Sequence, residues 1–198
     1  YNNITFGENG SFNRGFCAVG DYVYIAGRSE NSTQSTIYLR KMDGKTGEII
    51  SDIILGDEAK VSYFPCNDVV KDSKGNVCIS NLSLGISSTP LKIHLVNLET
   101  GALTEIASLT KSGLTTSRVD HMSILGDVVA GDFTIFAAIS KSNIVVKWTF
   151  EDGEEVSSTT STLKSFYPTS ASALGIAPFV IPITANDIFV VGGDIHMS

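Results

Sequence analysis

The feature that most constrains the fold of this chain is an internal repeat of about fifty residues, marked by polar turns that contain glycine. Residues 41–48, Lys-Met-Asp-Gly-Lys-Thr-Gly-Glu, return in altered form at 96–102 and more loosely at 148–155. Each copy follows an apolar run and precedes another strand-like stretch. Repeats of about 40–50 residues, built from short strands and such turns, are typical of β-propeller blades.

Tight-turn signals divide each repeat into strands. Gly20-Asp21 separates two apolar runs, which predicts a hairpin because both residues tolerate the positive φ of a tight turn. In the third repeat the second strand is either 128–130 or 133–139. We expect the latter, because a continuous run of strand-compatible residues requires burial. The predicted blades span approximately 11–56, 62–110, 117–164 and 174–198.

These patterns predict an all-β fold, a single β-propeller domain of four-stranded antiparallel blades. No segment of about 11 residues shows the sustained 3.6-residue apolar spacing of a helix. Because the chain supplies three blades and the inner half of a fourth, we expect a partial set from a longer propeller. The chain begins at Tyr1 without a signal peptide, so we expect its natural beginning to be missing. A closed four-bladed ring is the alternative, if Ile4-Thr5-Phe6 completes the last blade.

Charge and hydropathy exclude two classes of protein. The formal net charge is −7, and no basic cluster exceeds a pair of adjacent residues. Nucleic-acid binding requires concentrated positive charge, so we expect no nucleic-acid partner. No uninterrupted apolar stretch reaches the ~18–20 residues of a membrane-spanning helix.

The sequence predicts no metal site and no cofactor. The turn at 43–48 has acidic ends, but Lys45 stands where a calcium loop needs an oxygen ligand, so we interpret it as a hairpin turn. The turn at 72–76 has the same interpretation. Cys17, Cys66 and Cys78 form no CxxC pair, and we expect them to be buried and unbridged.

A candidate ligand-binding site follows from the spacing of charged residues. Arg14, Asp68 and Asp120 each lie seven residues before the first hairpin turn of a predicted blade. The first strand of a blade lines the central channel, so these side chains are expected to meet at one rim. The alternatives are solvated turn residues, or an exposed Arg14–Asp68 pair between blades.

His121 follows Asp120 and completes the candidate ligand-binding set. An Asp-His neighbour could serve acid–base chemistry, but a triad also needs an activated nucleophile, and no Gly-x-Ser-x-Gly occurs. We therefore assign no catalytic residue.

The turn at 43–48, of the form Asp-x-x-Thr-Gly-Glu, is preceded by Val-Gly-Asp-Tyr-Val-Tyr-Ile-Ala-Gly-Arg at 19–28. Together these segments resemble the uncharacterised secreted β-propeller proteins of Bacteroidetes, many of which are lipoproteins. The resemblance implies export, often with a lipid anchor in the outer membrane, and in some cases genes beside nutrient-uptake transporters. It implies no catalytic residues.

The sequence and this resemblance together favour a non-catalytic extracytoplasmic binding or accessory protein. The resemblance implies a surface lipoprotein, or a periplasmic or secreted protein, associated with an outer-membrane complex that takes up glycans or peptides. The alternative is a propeller hydrolase or lyase with an active site at the channel mouth, formed by Asp68, Asp120 and His121.

Overall fold

The computed structural model describes residues 13–114, 117–163 and 174–192, and in these ranges the chain is built from antiparallel strands. A single 3-10 turn, Asp57–Ala59, is the only helical segment of the described residues. No helix in this part of the chain has the length and apolar character needed to span a bilayer.

The strands of the first sheet are β1 Asn13–Val19, β2 Tyr22–Arg28, β3 Ile37–Asp43 and β4 Ile49–Ile54. Those of the second are β5 Asp68–Lys71, β6 Val77–Ser80, β7 Leu91–Val96 and β8 Leu103–Leu109. Those of the third are β9 Ser123–Asp127, β10 Asp132–Ala138, β11 Ile144–Glu151 and β12 Glu154–Thr162, and those of the fourth are β13 Phe179–Pro182 and β14 Ile188–Val191.

Each sheet is a meander in which every strand pairs with the next one along the chain. Sheets 1, 2 and 3 have four strands each, and sheet 4 has two. The first strand of each sheet is an edge strand, and β1 contacts β5, β5 contacts β9, and β9 contacts β13. We call β1, β5, β9 and β13 the inner strands, because all four sheets meet along them.

The core lies between neighbouring sheets. One cluster joins sheets 1 and 2 around Leu39 and Ile79, and a larger one joins sheets 2 and 3 around Ile93 and Trp148. A smaller cluster joins sheet 3 to Val180 of sheet 4. Apolar residues on both faces of sheets 2 and 3 are therefore buried, as each face meets another sheet.

Hydrogen bonds between turns also join sheets 2 and 3. The backbone N–H of Ser73 donates to the Gly126 carbonyl (3.0 Å), and Gly126 N–H donates to Ser73 Oγ (3.0 Å). Val128 N–H donates to Asp72 Oδ2 (3.0 Å). Asp72 is buried in its turn, and although burial acts to raise its pKa, hydrogen bonds from Asn76 and Val128 hold that pKa below the usual value. The carboxylate therefore stays charged and fixes two sheets at once.

The repeated turns owe their geometry to local side-chain chemistry. Asp43 Oδ1 accepts from the N–H groups of Lys45 and Thr46 (both 2.8 Å), and Gly47 adopts a φ of 74°. In the second copy Asn97 Oδ1 accepts the equivalent bonds, and Gly101 has a φ of 75°. Such self-bonded turns are what Asp and Asn favour. The third copy differs: Asp152-Gly153 is a two-residue turn in which both residues have positive φ.

The prediction of an all-β fold is confirmed for the described residues. The second strand of the third sheet is β10, and 128–131 lie in the turn before it, as expected. Cys17, Cys66 and Cys78 are buried and unbridged, which confirms that prediction. Ile4-Thr5-Phe6, which we considered as a strand closing a four-bladed ring, lies outside the described residues, as do the ends of the predicted segments 11–56, 117–164 and 174–198.

Candidate functional site

The starting ends of the inner strands meet, and they bring three of the four predicted site residues together. Asp68 is the first residue of β5, and Asp120 and His121 lie just before β9. Met122 N–H donates to Asp68 Oδ2 (2.9 Å), and His121 Nδ1 lies 3.3 Å from Asp68 Oδ1. A carboxylate from sheet 2 thus contacts the backbone and the imidazole that lead into sheet 3.

Gly15 allows β1 to approach this carboxylate. The pairing of β1 with β2 is interrupted by a bulge between Arg14 and Phe16, and Gly15 there has a φ of 57°. A Cβ at position 15 would lie 2.3 Å from Asp68 Oδ1 and 2.9 Å from Val69 N. Only glycine suits both this φ and this close approach.

Asp120 is held by two neighbours. Its carboxylate accepts two hydrogen bonds from the Arg118 guanidinium, one of them 2.7 Å long, and it is 1% exposed. Asn67 Nδ2 donates to the Asp120 carbonyl (2.9 Å), while Asn67 Oδ1 accepts from Arg28 (3.4 Å). We call the set formed by Arg28, Asn67, Asp68, Arg118, Asp120 and His121 the rim cluster.

His121 is a titratable group of the rim cluster that is partly open to solvent. Its side chain is 23% exposed, and its ring meets that of Phe179 edge-on, with centroids 5.8 Å apart. Burial acts to lower the pKa of this imidazole, but the close contact with Asp68 and the negative charge of that carboxylate outweigh burial, and the pKa is raised. The contact with Asp68 is within ion-pair distance, although its angles are not those of a well-formed hydrogen bond. We therefore treat it as an electrostatic contact.

Arg14 is separate from this cluster. It is exposed, and among the described residues it forms no ion pair with Asp68, so the pair between neighbouring sheets that we considered is not formed. Its charge still acts at a distance. The pKa of Arg28 is lowered, chiefly by burial of that guanidinium and then by the positive charge of Arg14.

The two carboxylates of the rim cluster are already satisfied by contacts within the protein. Asp68 accepts from Val69 N–H (3.0 Å) as well as from Met122, and Asp120 is paired with Arg118. Buried charges are tolerated when they are paired in this way. The assignment of Arg14, Asp68, Asp120 and His121 to a ligand stays a prediction. The contacts of the Asp68 carboxylate are those of a residue that joins sheets, whereas the Asp120 carboxylate is paired within its own segment.

A cleft lies along the same four inner strands. Its volume is about 380 Å³ and it is open to solvent. The lining comes from all four sheets: Phe16, Cys17, Val70, Lys71, Asp72, Ser73, Ser123, Ile124, Leu125, Phe179, Val180, Ile181 and Pro182. We call it the inner-strand cleft. Volumes of about 300–1,000 Å³, with mostly apolar walls and a few polar groups, are typical of small-molecule sites.

Two phenyl rings and one cation of the cleft are open to solvent. Phe16 is 74% exposed and Phe179 is 36% exposed. Lys71 is exposed, and within the described ranges it forms no ion pair. The distance of charged residues from a turn, from which the candidate site was predicted, gives no signal for these residues. The available signal was that Phe16 lies one strand position from buried Cys17 and so occupies the opposite face.

The inner strands also offer backbone groups to the cleft. Each is the edge of its sheet, and an edge strand leaves N–H and C=O groups unpaired along one side. Ser123 Oγ donates to the Val180 carbonyl and so links β9 to β13 across the cleft wall. Backbone donors and acceptors, apolar rings and a cation are therefore available in one concave surface.

The chain is similar in fold to the crystal structure of a DUF4623 family protein from Bacteroides eggerthii, with a TM-score of 0.63 and 17% sequence identity. The similarity covers 91% of this chain and 41% of that chain, so this chain spans less than half the length of that protein. At this identity the likeness shows the fold alone. No protein-family model matches the sequence, and no curated protein matches it.

Proposed function

We propose that this chain is a non-catalytic binding module of β-propeller blades, and that its ligand occupies the inner-strand cleft. The propeller arrangement is supported by the successive contacts of β1, β5, β9 and β13, the innermost strand of each sheet. In a propeller these strands surround the central channel. The observation that carries the binding proposal is the cleft itself, since four sheets contribute to one concave surface with exposed Phe16, Lys71 and Phe179.

A hydrolase or lyase active site at the rim is the weaker alternative. A general base must be free to reach a substrate proton. In the rim cluster, Asp68 and Asp120 are 2% and 1% exposed, and their carboxylates already accept hydrogen bonds. The cleft, in contrast, includes the exposed side chains of Phe16 and Lys71, which have no such commitments.

The proposal extends to location and partners. We place the protein outside the cytoplasm, at the outer-membrane surface or in the periplasm, where it delivers a fragment of a glycan or peptide to an uptake complex. The resemblance of segments 19–28 and 43–48 to secreted Bacteroidetes propellers supports this placement. Co-purification from native membranes tests it: recovery of a transporter with the protein is expected, and recovery only from the cytoplasmic fraction would refute it.

The binding proposal is tested by a thermal-shift screen of oligosaccharides, short peptides and small organic acids. At least one compound is expected to raise the Tm, since a ligand that binds the folded state stabilises it. The shift is expected to be lost in the double variant Phe16→Ala/Phe179→Ala. A shift that survives in this variant would place the ligand elsewhere, and a screen without any shift would count against the binding function.

A further inference from the structure

We infer that the inner-strand cleft selects a small amphipathic anion: Lys71 binds the anionic group, and Phe16 and Phe179 hold the apolar body. This inference rests on the proposed binding function and specifies its ligand. The chain carries a net charge of −7, which repels anions in general, so a cation in a concave site has a selective effect.

Lys71 differs from most cations of the described residues. Arg40 pairs with Asp52, Lys92 with Glu105, and Arg118 with Asp120. Lys111 Nζ and Lys147 Nζ donate to backbone carbonyls. Lys71 lines the cleft, and within the part of the chain that the structure describes it has no ion-pair partner. The other charged residue of the cleft lining, Asp72, is 3% exposed, and its carboxylate accepts hydrogen bonds from Asn76 and Val128. The ammonium group of Lys71 is therefore the exposed charge of the lining, available to a carboxylate, sulfonate or phosphate of a ligand.

The two phenyl rings come from opposite ends of the row of inner strands. Phe16 belongs to β1 and Phe179 to β13, with β5 and β9 between them. Burial of apolar surface makes such rings good contacts for an apolar body, which offers more apolar surface to bury than a hydroxylated sugar does. The combination favours an amphipathic anion, such as the carboxylate end of a short apolar peptide, over a neutral sugar.

Two fluorescent probes with the same aromatic body test the role of the charge. 1-Anilinonaphthalene-8-sulfonate is anionic, and N-phenyl-1-naphthylamine is its neutral counterpart. Titration of the full chain with each probe is expected to give saturable binding, tighter for the anion. Lys71→Gln is expected to weaken binding of the anionic probe about two- to fivefold, as for an exposed ion pair, and to leave the neutral probe unchanged.

Lys74→Gln is the matched control. Lys74 is exposed on the turn after β5 and does not line the cleft, and its substitution removes the same charge. If Lys74→Gln weakens binding of the anionic probe as much as Lys71→Gln does, or if neither substitution changes that binding, the anion inference is wrong. Phe189→Ala controls for probe adsorbed on exposed apolar surface, because Phe189 is exposed but outside the cleft lining.

The double variant Phe16→Ala/Phe179→Ala separates this inference from the function on which it depends. If this variant binds neither probe and Lys71→Gln leaves the binding of both probes unchanged, the cleft remains the binding site and only the anion preference is overturned. Unchanged binding of both probes in the double variant would count against the binding function itself. If the wild-type chain binds neither probe, the amphipathic ligand class is refuted.

Competition then distinguishes two sources of the same anionic chemistry. N-acetyl-Leu-Leu is expected to displace the anionic probe, and its C-terminal amide is expected to displace it less well. Glucuronate, an anionic sugar without an apolar body, is expected to compete poorly. Stronger displacement by glucuronate than by the peptide would overturn the role of the phenyl rings.

Discussion

The rim cluster lies where β5 and β9 begin, and the inner-strand cleft runs along all four inner strands, yet the rim carboxylates and the exposed side chains of the cleft differ sharply. In the rim cluster, Asp68 and Asp120 are buried and accept hydrogen bonds from Met122 N–H and Arg118. In the cleft, Phe16 and Lys71 are exposed, and no partner among the described residues pairs with the lysine. A charged residue near a channel is therefore informative only together with its partners. Buried charges that accept hydrogen bonds are committed to the fold, and exposed charges without a partner are available to a ligand.

The largest effect is expected from a substitution that disrupts the packing of β1 against the rim cluster. Gly15→Ala places a methyl group 2.3 Å from Asp68 Oδ1 and against the β5 backbone, at a φ of 57°. We expect a loss of about 4 kcal/mol of unfolding free energy, measured by denaturant titration. Gly20→Ala is the matched control, since Gly20 has a φ of 58° but no atom within 4 Å of its Cβ position. It should cost about 1–2 kcal/mol, and equal losses in the two variants would contradict close packing at Gly15.

The next effect tests whether the rim carboxylate is structural. Asp68→Ala removes the acceptor of Met122 N–H and Val69 N–H, and buried donors without partners are costly. We expect a loss of about 2–3 kcal/mol, measured as a lowered midpoint of denaturation. Lys71→Ala, on the same strand, should stay within about 0.5 kcal/mol. An Asp68→Ala variant as stable as the wild type would show that the Asp68 carboxylate is not needed for folding and is available to a ligand.

The third effect concerns pH and His121. The pKa of this imidazole is raised in the folded state, because Asp68, helped by Asp120, outweighs burial and the charge of Arg14. Its stabilising contribution should therefore be complete below the unfolded pKa of about 6.5 and should be lost as pH rises through the folded pKa. The Tm difference between wild type and His121→Gln should be largest near pH 5.5 and should shrink towards pH 8.5. A difference that is constant across this range would show that the contact with Asp68 is not electrostatic.

The smallest effect is expected at Arg14. Since its side chain is exposed and forms no ion pair with Asp68 among the described residues, Arg14→Ala should change the unfolding free energy by less than about 0.5 kcal/mol. Thermal denaturation of this variant beside Asp68→Ala would separate two residues that the sequence placed at equivalent positions. A clear destabilisation by Arg14→Ala would reveal a structural role that its exposure does not suggest.

Local chemistry made much of the fold predictable. The turns at 43–47 and 97–101 are stabilised by the first side chain of each turn, so their sequence alone indicates their shape. The hairpin at Gly20-Asp21 and the choice of 133–139 over 128–130 followed from turn residues and strand propensity in the same way.

The burial and the hydrogen-bond partners of the candidate site residues were not predictable, because they depend on residues that are distant in sequence. The burial of Asp68 depends on Met122, 54 residues away, and the bulge at Gly15 depends on the approach of β5. A count of seven residues from the turn treats Arg14 and Asp68 alike, but the bulge separates Arg14 from the rest of β1. Alternation within β1 puts Phe16 and Cys17 on opposite faces, but which of the two faces is open to solvent depends on the strands beside β1.

The turn contacts between sheets 2 and 3 have a consequence for how the molecule opens. Gly126 and Val128 lie at a hairpin end, where amide protons normally exchange rapidly with solvent, yet their donors are bonded to Ser73 and Asp72 of the other sheet. Their exchange should therefore slow to the rate at which the first hairpin of sheet 2 separates from its neighbour. Fraying at that hairpin would release bonds in both sheets together, which makes the pair of sheets, and not the individual sheet, the smallest cooperative unit of this region.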